Sequence, residues 1–328
     1  RKTASKNTAV SCHWIRSRSR TDLVWVVGNK EKFNQAGVVP VNSTKRNLLY
    51  TQIENDWKYL PLIKALVAMS ALLHDWGKAS ALFQEKLKPS SKQSCQGDPI
   101  RHEWISCLLL NAFIKANSDK GGSDSEWLTA FSKGNIDENV LTKIAKQQER
   151  YPLSKLPPMA KLLCWLIVSH HRLPLLDDSN LKMEEADSID SVLSLISVNW
   201  GYENNADQAD QQRRINQCFH FPNGLVSNSN SWLASVKKWS KRLMNCEDLA
   251  AQALSDGSYR LILSHSRLCL MLGDHFYSSQ DADGKWQENI GIFANTDRKT
   301  KQLKQKLDEH LVKVANQGLR NAHLLPYL

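Results

Sequence analysis

The segment Ala71-Leu-Leu-His-Asp-Trp-Gly-Lys78 closes an apolar run with His74 and Asp75 side by side, and Gly77 then permits a break before Lys78. An imidazole nitrogen and a carboxylate oxygen on neighbouring positions of one rigid element suit a metal ion, because the helix fixes their separation without help from a loop. A lone His-Asp pair is common by chance. The context Leu-Leu-His-Asp-x-Gly-Lys is far more specific.

Three further stretches carry chemistry-bearing residues. In Asp98-Pro-Ile-Arg-His-Glu-Trp104 an acid at an N-cap and a proline at the first helical position predict that His102 lies in the opening turn of a helix. His102 is then either a ligand or a ring packed against Trp104. The helix from Pro158 ends in Ser169-His-His-Arg-Leu-Pro174, where successive residues point about 100° apart. On that geometry His170 and His171 do not share a face; they reach neighbouring ions, or one ion and a phosphate, unless they are an accidental pair favoured by the helix dipole. In Leu268-Cys-Leu-Met-Leu-Gly-Asp-His275 an acid, Asp274, sits on an apolar helix and must meet a cation or a strong donor, a metal or an Arg, to be buried there. His265 falls on the opposite side of that helix and reads as a core or surface residue, as do His13, His220, His310 and His323.

The elements that must position these groups are helices. Apolar residues recur at three- and four-residue steps over Leu62–Leu73, Ile105–Phe113, Met159–Val168 and Leu261–Leu272. Polar loops separate them at 88–97, 117–125, 177–190, 201–212, 222–231 and 278–289. Only Val10–Ile15 and Leu23–Val27 read as strands, forming a small hairpin before Pro40. The fold class is mainly α, with that hairpin at its N-terminal end.

Composition narrows the function classes. No apolar run approaches the about 20 residues that cross a bilayer, so a soluble protein without a membrane partner is expected. The first residue is Arg1 rather than Met and no secretory leader follows, which reads as a piece of something longer. Seven widely spaced cysteines with no Cys-x-x-Cys pair fit reduced thiols and a cytoplasmic setting. A formal charge of +10 favours a polyanion as the large partner. Its cations concentrate in an acid-free opening that includes Arg16, Arg18 and Arg20, and in a late stretch, read as helical, with Arg298, Lys299, Lys301, Lys304 and Lys306. Each cluster is either a nucleic-acid contact or plain solvated surface.

The order His74-Asp75-x-x-Lys78, Arg101-His102-Glu103, His170-His171, Asp274 resembles the HD phosphohydrolase superfamily. The stretch His74-Asp-Trp-Gly-Lys-Ala-Ser-Ala-Leu-Phe-Gln84, with Ser169-His-His-Arg-Leu-Pro174, is similar to the HD nuclease domain of the type I CRISPR-associated nuclease-helicase. The opening Thr3-Ala-Ser-Lys-Asn-Thr-Ala-Val-Ser-Cys-His-Trp14 resembles the F-subtype, in which an adaptation-protein domain is fused ahead of the HD domain. The resemblance implies an HD helical bundle over 46–328, preceded over 1–45 by the end of a ferredoxin-like adaptation domain and its connector. A helicase would normally follow; no Gly-x-x-x-x-Gly-Lys-Ser/Thr loop occurs here, so no ATPase activity is expected of this piece.

The resemblance also carries over His74, Asp75, His102, His170, His171 and Asp274 as metal ligands, Asp75 as a catalytic residue, and Lys78 as the cation beside the scissile phosphate. Family members usually add a His from an upstream helix, yet none lies between His13 and His74. One ion position is therefore expected to be short of a ligand, with Asn47, Thr51 or Glu54 as weaker donors, and to fill only at high metal. The implied reaction is hydrolysis of displaced single-stranded DNA, endo- or exonucleolytic, with one or two ions of Mn, Fe, Co or Ni suited to the mixed imidazole and carboxylate set. Arg16, Arg18, Arg20, Lys299, Lys301 and Lys304 would hold the strand. The implied partners are the CRISPR surveillance complex, the adaptation integrase and phage anti-CRISPR inhibitors, in a prokaryotic cytoplasm. Two rivals are an HD phosphohydrolase of small nucleotides, which would not need extended basic segments, and a catalytically weak module that docks the integrase, whose binding would ignore substitution of His74 and Asp75.

Overall fold

Helix α1 (Leu60–Leu73) is buried on every side from Leu62 onward, apart from Lys64, and so must be the central element of its unit. The computed structural model describes residues 2–3, 6–16, 21–35, 57–88, 97–118, 123–147, 151–173, 188–194, 196, 200–201, 207–297 and 299–327. The chain divides into two compact units, 1–56 and 57–328. Asn47, Thr51 and Glu54, and likewise Arg18, Arg20 and Arg298, lie outside the described residues.

The first unit holds three antiparallel strands, β1 (Lys2–Thr3), β2 (Thr8–Arg16) and β3 (Thr21–Asn29), in that order. The expected hairpin is β2 and β3, longer than the alternating residues suggested, in a register running from Thr8 opposite Asn29 to Arg16 opposite Thr21. Ala9 and Ser11 are buried on one face, where Phe33 returns over Gly28; Trp25 and Val27 stand exposed on the other.

The second unit is helical. Around α1 pack α6 (Pro158–Ser169), α9 (Asn230–Met244), α11 (Tyr259–Ser279) and α12 (Leu307–Leu324). Helix α3 (His102–Asn117) lies on α6 and on α5 (Glu138–Lys146). Shorter helices complete the shell: α2 (Ala81–Lys86), α4 (Asp124–Lys133), α7 (Ile189–Ser194), α8 (Gln208–Cys218) and α10 (Glu247–Asp256). No helix among the described residues is long and apolar enough to cross a membrane. The described cysteines are all free thiols.

Local chemistry fixes the ends of the helices that carry the site. The indole of Trp232 donates to the Leu72 carbonyl at 2.9 Å, satisfying one of the acceptors that the end of α1 leaves open. The carboxylate of Asp124 accepts from the backbone N–H groups of Met159 and Ala160, at 2.8 and 3.2 Å, and thereby holds the start of α6. After α1 the chain turns through a 3-10 segment, Trp76–Ala79, which presses on the first turn of α3. There Gly77 N–H donates to Ser106 Oγ at 2.8 Å, and that hydroxyl donates to the His102 carbonyl.

Two expectations change. Helix α3 begins at His102 with Arg101 as its N-cap, not with Asp98 and Pro99. Residues 99–101 are instead held against 200–201: Arg101 N–H donates to the Trp200 carbonyl, and the Asp98 carboxylate pairs with Lys86 at 2.6 Å. The late basic stretch is not helical. Residues 293–306 double back through isolated antiparallel bridges, Phe293 to Lys306 and Thr296 to Leu303, with Lys301 in the left-handed region at φ 59°. The Asp297 side chain accepts from the N–H groups of Lys299 and Thr300 and so stabilises the turn in place of a helix.

The close approach at Gly77 yields a test. A Cβ there would fall 2.1 Å from the His102 carbonyl oxygen, a backbone atom that cannot step aside alone. Gly77→Ala should destabilise the unit by about 2 kcal/mol or more, within the usual cost of overpacking or above it. Gly284→Ala, where a Cβ meets nothing within 4 Å, should leave the denaturation midpoint nearly unmoved. Equal midpoints for the two variants would show that the α1–α3 contact does not depend on a bare backbone.

Candidate metal centre

Five elements deliver the site. His74 caps the C-terminus of α1, Asp75 follows it, His102 opens α3, His170 caps α6 with His171 next in the chain, Asp274 lies on α11 and His310 on α12. Their ligand atoms form two groups, in each of which all atoms lie within 4.8 Å of one another: Asp75, His102, His170 and His171; and His74, Asp75, Asp274 and His310. Asp75 belongs to both. Its Oδ1 faces His102 Nε2 at 3.2 Å and His170 Nε2 at 3.8 Å, while its Oδ2 faces His74 Nε2 at 3.2 Å and His310 Nε2 at 3.3 Å. Asp274 Oδ1 lies 3.3 Å from His310 Nε2.

The rings are turned to present Nε2. His74 Nδ1 is 2.8 Å from the Ala71 carbonyl and His170 Nδ1 is 2.6 Å from the Ile167 carbonyl. A carbonyl only accepts, so each Nδ1 carries a proton, which leaves Nε2 as the atom that ligates an ion when the ring is neutral. His310 Nδ1 meets Gln305 Oε1 at 3.1 Å; the Gln305 amide nitrogen donates to the carbonyls of Tyr277 and Gln280, which fixes that amide's oxygen toward the ring. His102 Nδ1 lies 3.4 Å from the buried carboxylate of Glu103, itself paired with Arg101. Partners on the far nitrogen are how proteins orient metal-ligating imidazoles.

Burial would lower the pKa of the His74 imidazole, but Asp75, with Asp274, outweighs it and raises it. His74, Asp75, His170 and His310 are buried, yet Nε2 of those three histidines and both Asp75 oxygens make no well-aligned hydrogen bond. Apart from the Lys78 ammonium beside Asp75 Oδ2, these buried polar atoms converge without donors, which is costly unless a further cation joins them. The residues therefore fit a divalent ion in either group. Burial would push the Asp75 carboxyl up, but His74 and Lys78, with the rings of His102 and His310, outweigh it and hold it well below the usual carboxylate range. Burial and the adjacent imidazoles bring His170 and His171 down to about 3, which keeps both rings neutral and available as ligands. The Lys78 ammonium lies 2.7 Å from Asp75 Oδ2 and is nearly buried.

Each expected ligand thus falls in a group, with two revisions. His170 and His171 do converge, their ring centroids 3.9 Å apart, although His170 keeps helical backbone angles as the C-cap of α6. His310, read from the sequence as a core or surface residue, stands in the second group, which therefore has four side chains without any upstream His. The signal that could have found it is a histidine within the apolar run Leu307, Leu311, Val312, Val314. Glu103 and Gln305 were also missed as orienting groups. His265 is in neither group; it packs edge-on to Trp57. Lys299 and Lys301 are exposed in the 293–306 turn, whereas the Lys304 ammonium donates to the Ser278 carbonyl at 3.2 Å; Arg16 ends β2.

Residues 42–240 match the family described as Cas3, HD domain, and residues 1–30 match the Cas2 domain of CRISPR-associated nuclease/helicase Cas3, I-F/YPEST. Two curated relatives, each described as CRISPR-associated nuclease/helicase Cas3 subtype I-F/YPEST, come from Pectobacterium atrosepticum and Pseudomonas aeruginosa. Both are 38% identical across all of this chain, which spans 30% of the length of either. His74, Asp75, His102, His170 and His171 fall inside the matched HD segment, and Asp274 and His310 lie beyond it. With the motif, the helical fold and the paired His/Asp groups all in agreement, the chain belongs to the Cas3 HD-domain family, in the I-F form that also carries Cas2-domain sequence.

Proposed function

We propose that this chain is a metal-dependent nuclease that hydrolyses single-stranded DNA in CRISPR interference. The observation that carries the proposal is one buried carboxylate, Asp75, shared between two four-residue groups whose nitrogens face inward. His102, His170 and His171 would hold one divalent ion with Asp75, and His74, Asp274 and His310 a second with the same carboxylate; Mn, Fe, Co or Ni suit such donors. Bound ions supply Lewis acidity toward a phosphoryl oxygen and an acidified water as nucleophile. The protein's part is preorganisation: far-nitrogen hydrogen bonds lock the rings, and burial strengthens every charge in the site. Lys78, held against Asp75, is placed to swing its ammonium onto a phosphate oxygen as charge develops.

The wider reading follows the relatives. Residues 1–45 would be the end of an adaptation-type domain and its connector, and 46–328 the nuclease domain. Lys299 and Lys301 on their exposed turn, with Lys304, Arg16, Arg18 and Arg20, would contact the strand. The protein would work in the cytoplasm beside a helicase, receive its strand from the surveillance complex, and meet the adaptation integrase and anti-CRISPR inhibitors as partners.

Asp75→Ala should abolish metal-dependent cleavage of single strands while circular dichroism shows the helical content retained, because the site caps helix ends and does not form the apolar core. The wild type should cut a single strand faster than the matched blunt duplex. Cleavage by a folded Asp75→Ala protein would refute the assignment.

Metal content tests the role of His310. After dialysis the wild type should retain two equivalents and His310→Gln one, since the first group is left intact. Two equivalents in both proteins would remove His310 from the ligand set.

A further inference from the structure

A cleft of about 820 Å³ lies apart from the metal-binding side chains, none of which lines it. It lies among α1, α9, α11 and α12, and is continued by a second cleft of about 490 Å³ that shares Lys64 and Trp239 with it. Lys64, Arg242, Lys313, Arg320 and His323 line the pair, and no Asp or Glu does so among the described residues. Phe276 stands about half exposed in its wall.

We propose that this cleft is a binding track for single-stranded nucleic acid; the choice of polyanion rests on the nuclease reading, whereas the track itself does not. Several cations without an interleaved acid gain affinity from any chain of phosphates by counterion release. Lys313 and Arg320 are two turns apart on α12, about 10 Å along its axis, so one phosphate group cannot engage both and a linear polyanion can. The exposed Phe276 ring offers a face on which an unpaired base stacks, an interaction closed to bases inside a duplex. The position also fits. Lys313 follows His310 by one turn on α12, and Tyr277, also in the wall, follows Asp274 by one turn on α11, so the cleft and the metal groups share two helices. Lys313 pairs with Asp283 at 2.6 Å, outside the two clefts; Lys64 instead contacts His323, and Arg242 covers the Trp239 ring.

The test uses the 328-residue chain, a chelator to prevent cleavage, and anisotropy of a labelled oligothymidine. The double variant Lys64→Ala, Arg320→Ala should bind about tenfold more weakly at moderate salt. Its log–log salt slope should fall by about 0.7 for each phosphate that the variant no longer neutralises. Phe276→Ala should weaken binding about fivefold, the lower end of the stacking range, with the salt slope unchanged. With metal restored, all variants should hydrolyse the base-free diester methyl p-nitrophenyl phosphate at the wild-type rate. Absence of that hydrolysis in every protein would count against the nuclease reading and leave the binding result to stand by itself. Wild-type strand affinity in both variants would overturn the track. So would displacement of the strand by polyglutamate as effectively as by unlabelled oligothymidine, which would assign the cleft to an acidic protein segment.

Discussion

Asp75 is the constraint on which the rest of this structure depends. A fully buried carboxylate tolerates its site only with positive charge close by, and the chain supplies Lys78 on one oxygen and imidazole nitrogens around both, a donor set fit to hold a cation. To bring those rings to one carboxylate, the ends of α1 and α6, the starts of α3 and α12, and the later part of α11 must meet at one point. Their packing around α1 is therefore as much a requirement of the site as of the apolar core.

Orientation comes from the next layer of contacts. His74 and His170 use the carbonyl three residues earlier, a partner available wherever a histidine caps a helix. His310 lies in the first turn of its helix and takes a different partner: Gln305 approaches from the preceding segment with its own amide anchored twice. His102 opens its helix and has no earlier turn; Glu103, neutralised by Arg101, stands beside it instead. The kind of partner thus follows from each ring's position along its helix.

The helices and most of the ligands were legible in the sequence because they are local. His74, Asp75, His102 and the His170-His171 pair sit in short motifs at helix ends, and three- to four-residue periodicity marks the helices that carry them. His310 was overlooked: its local sign, a histidine within an apolar run, names no partner, and only the packing of α12 on α1 brings it to Asp75. The His170-His171 geometry misled for another reason: the helical angle separates the directions in which side chains leave the backbone, whereas imidazole nitrogens reach far enough beyond to meet in one group. The basic segment after residue 296 read as helical by its lysines, but Asp297 turns the chain there through side-chain bonds that periodicity does not register.

Diffraction from crystals grown with manganese, recorded where that metal scatters anomalously, tests the shared-carboxylate account most directly. It predicts two peaks flanking the Asp75 carboxylate, one among His102, His170 and His171 and the other among His74, Asp274 and His310. Manganese bound elsewhere, with no peak against Asp75, would contradict it.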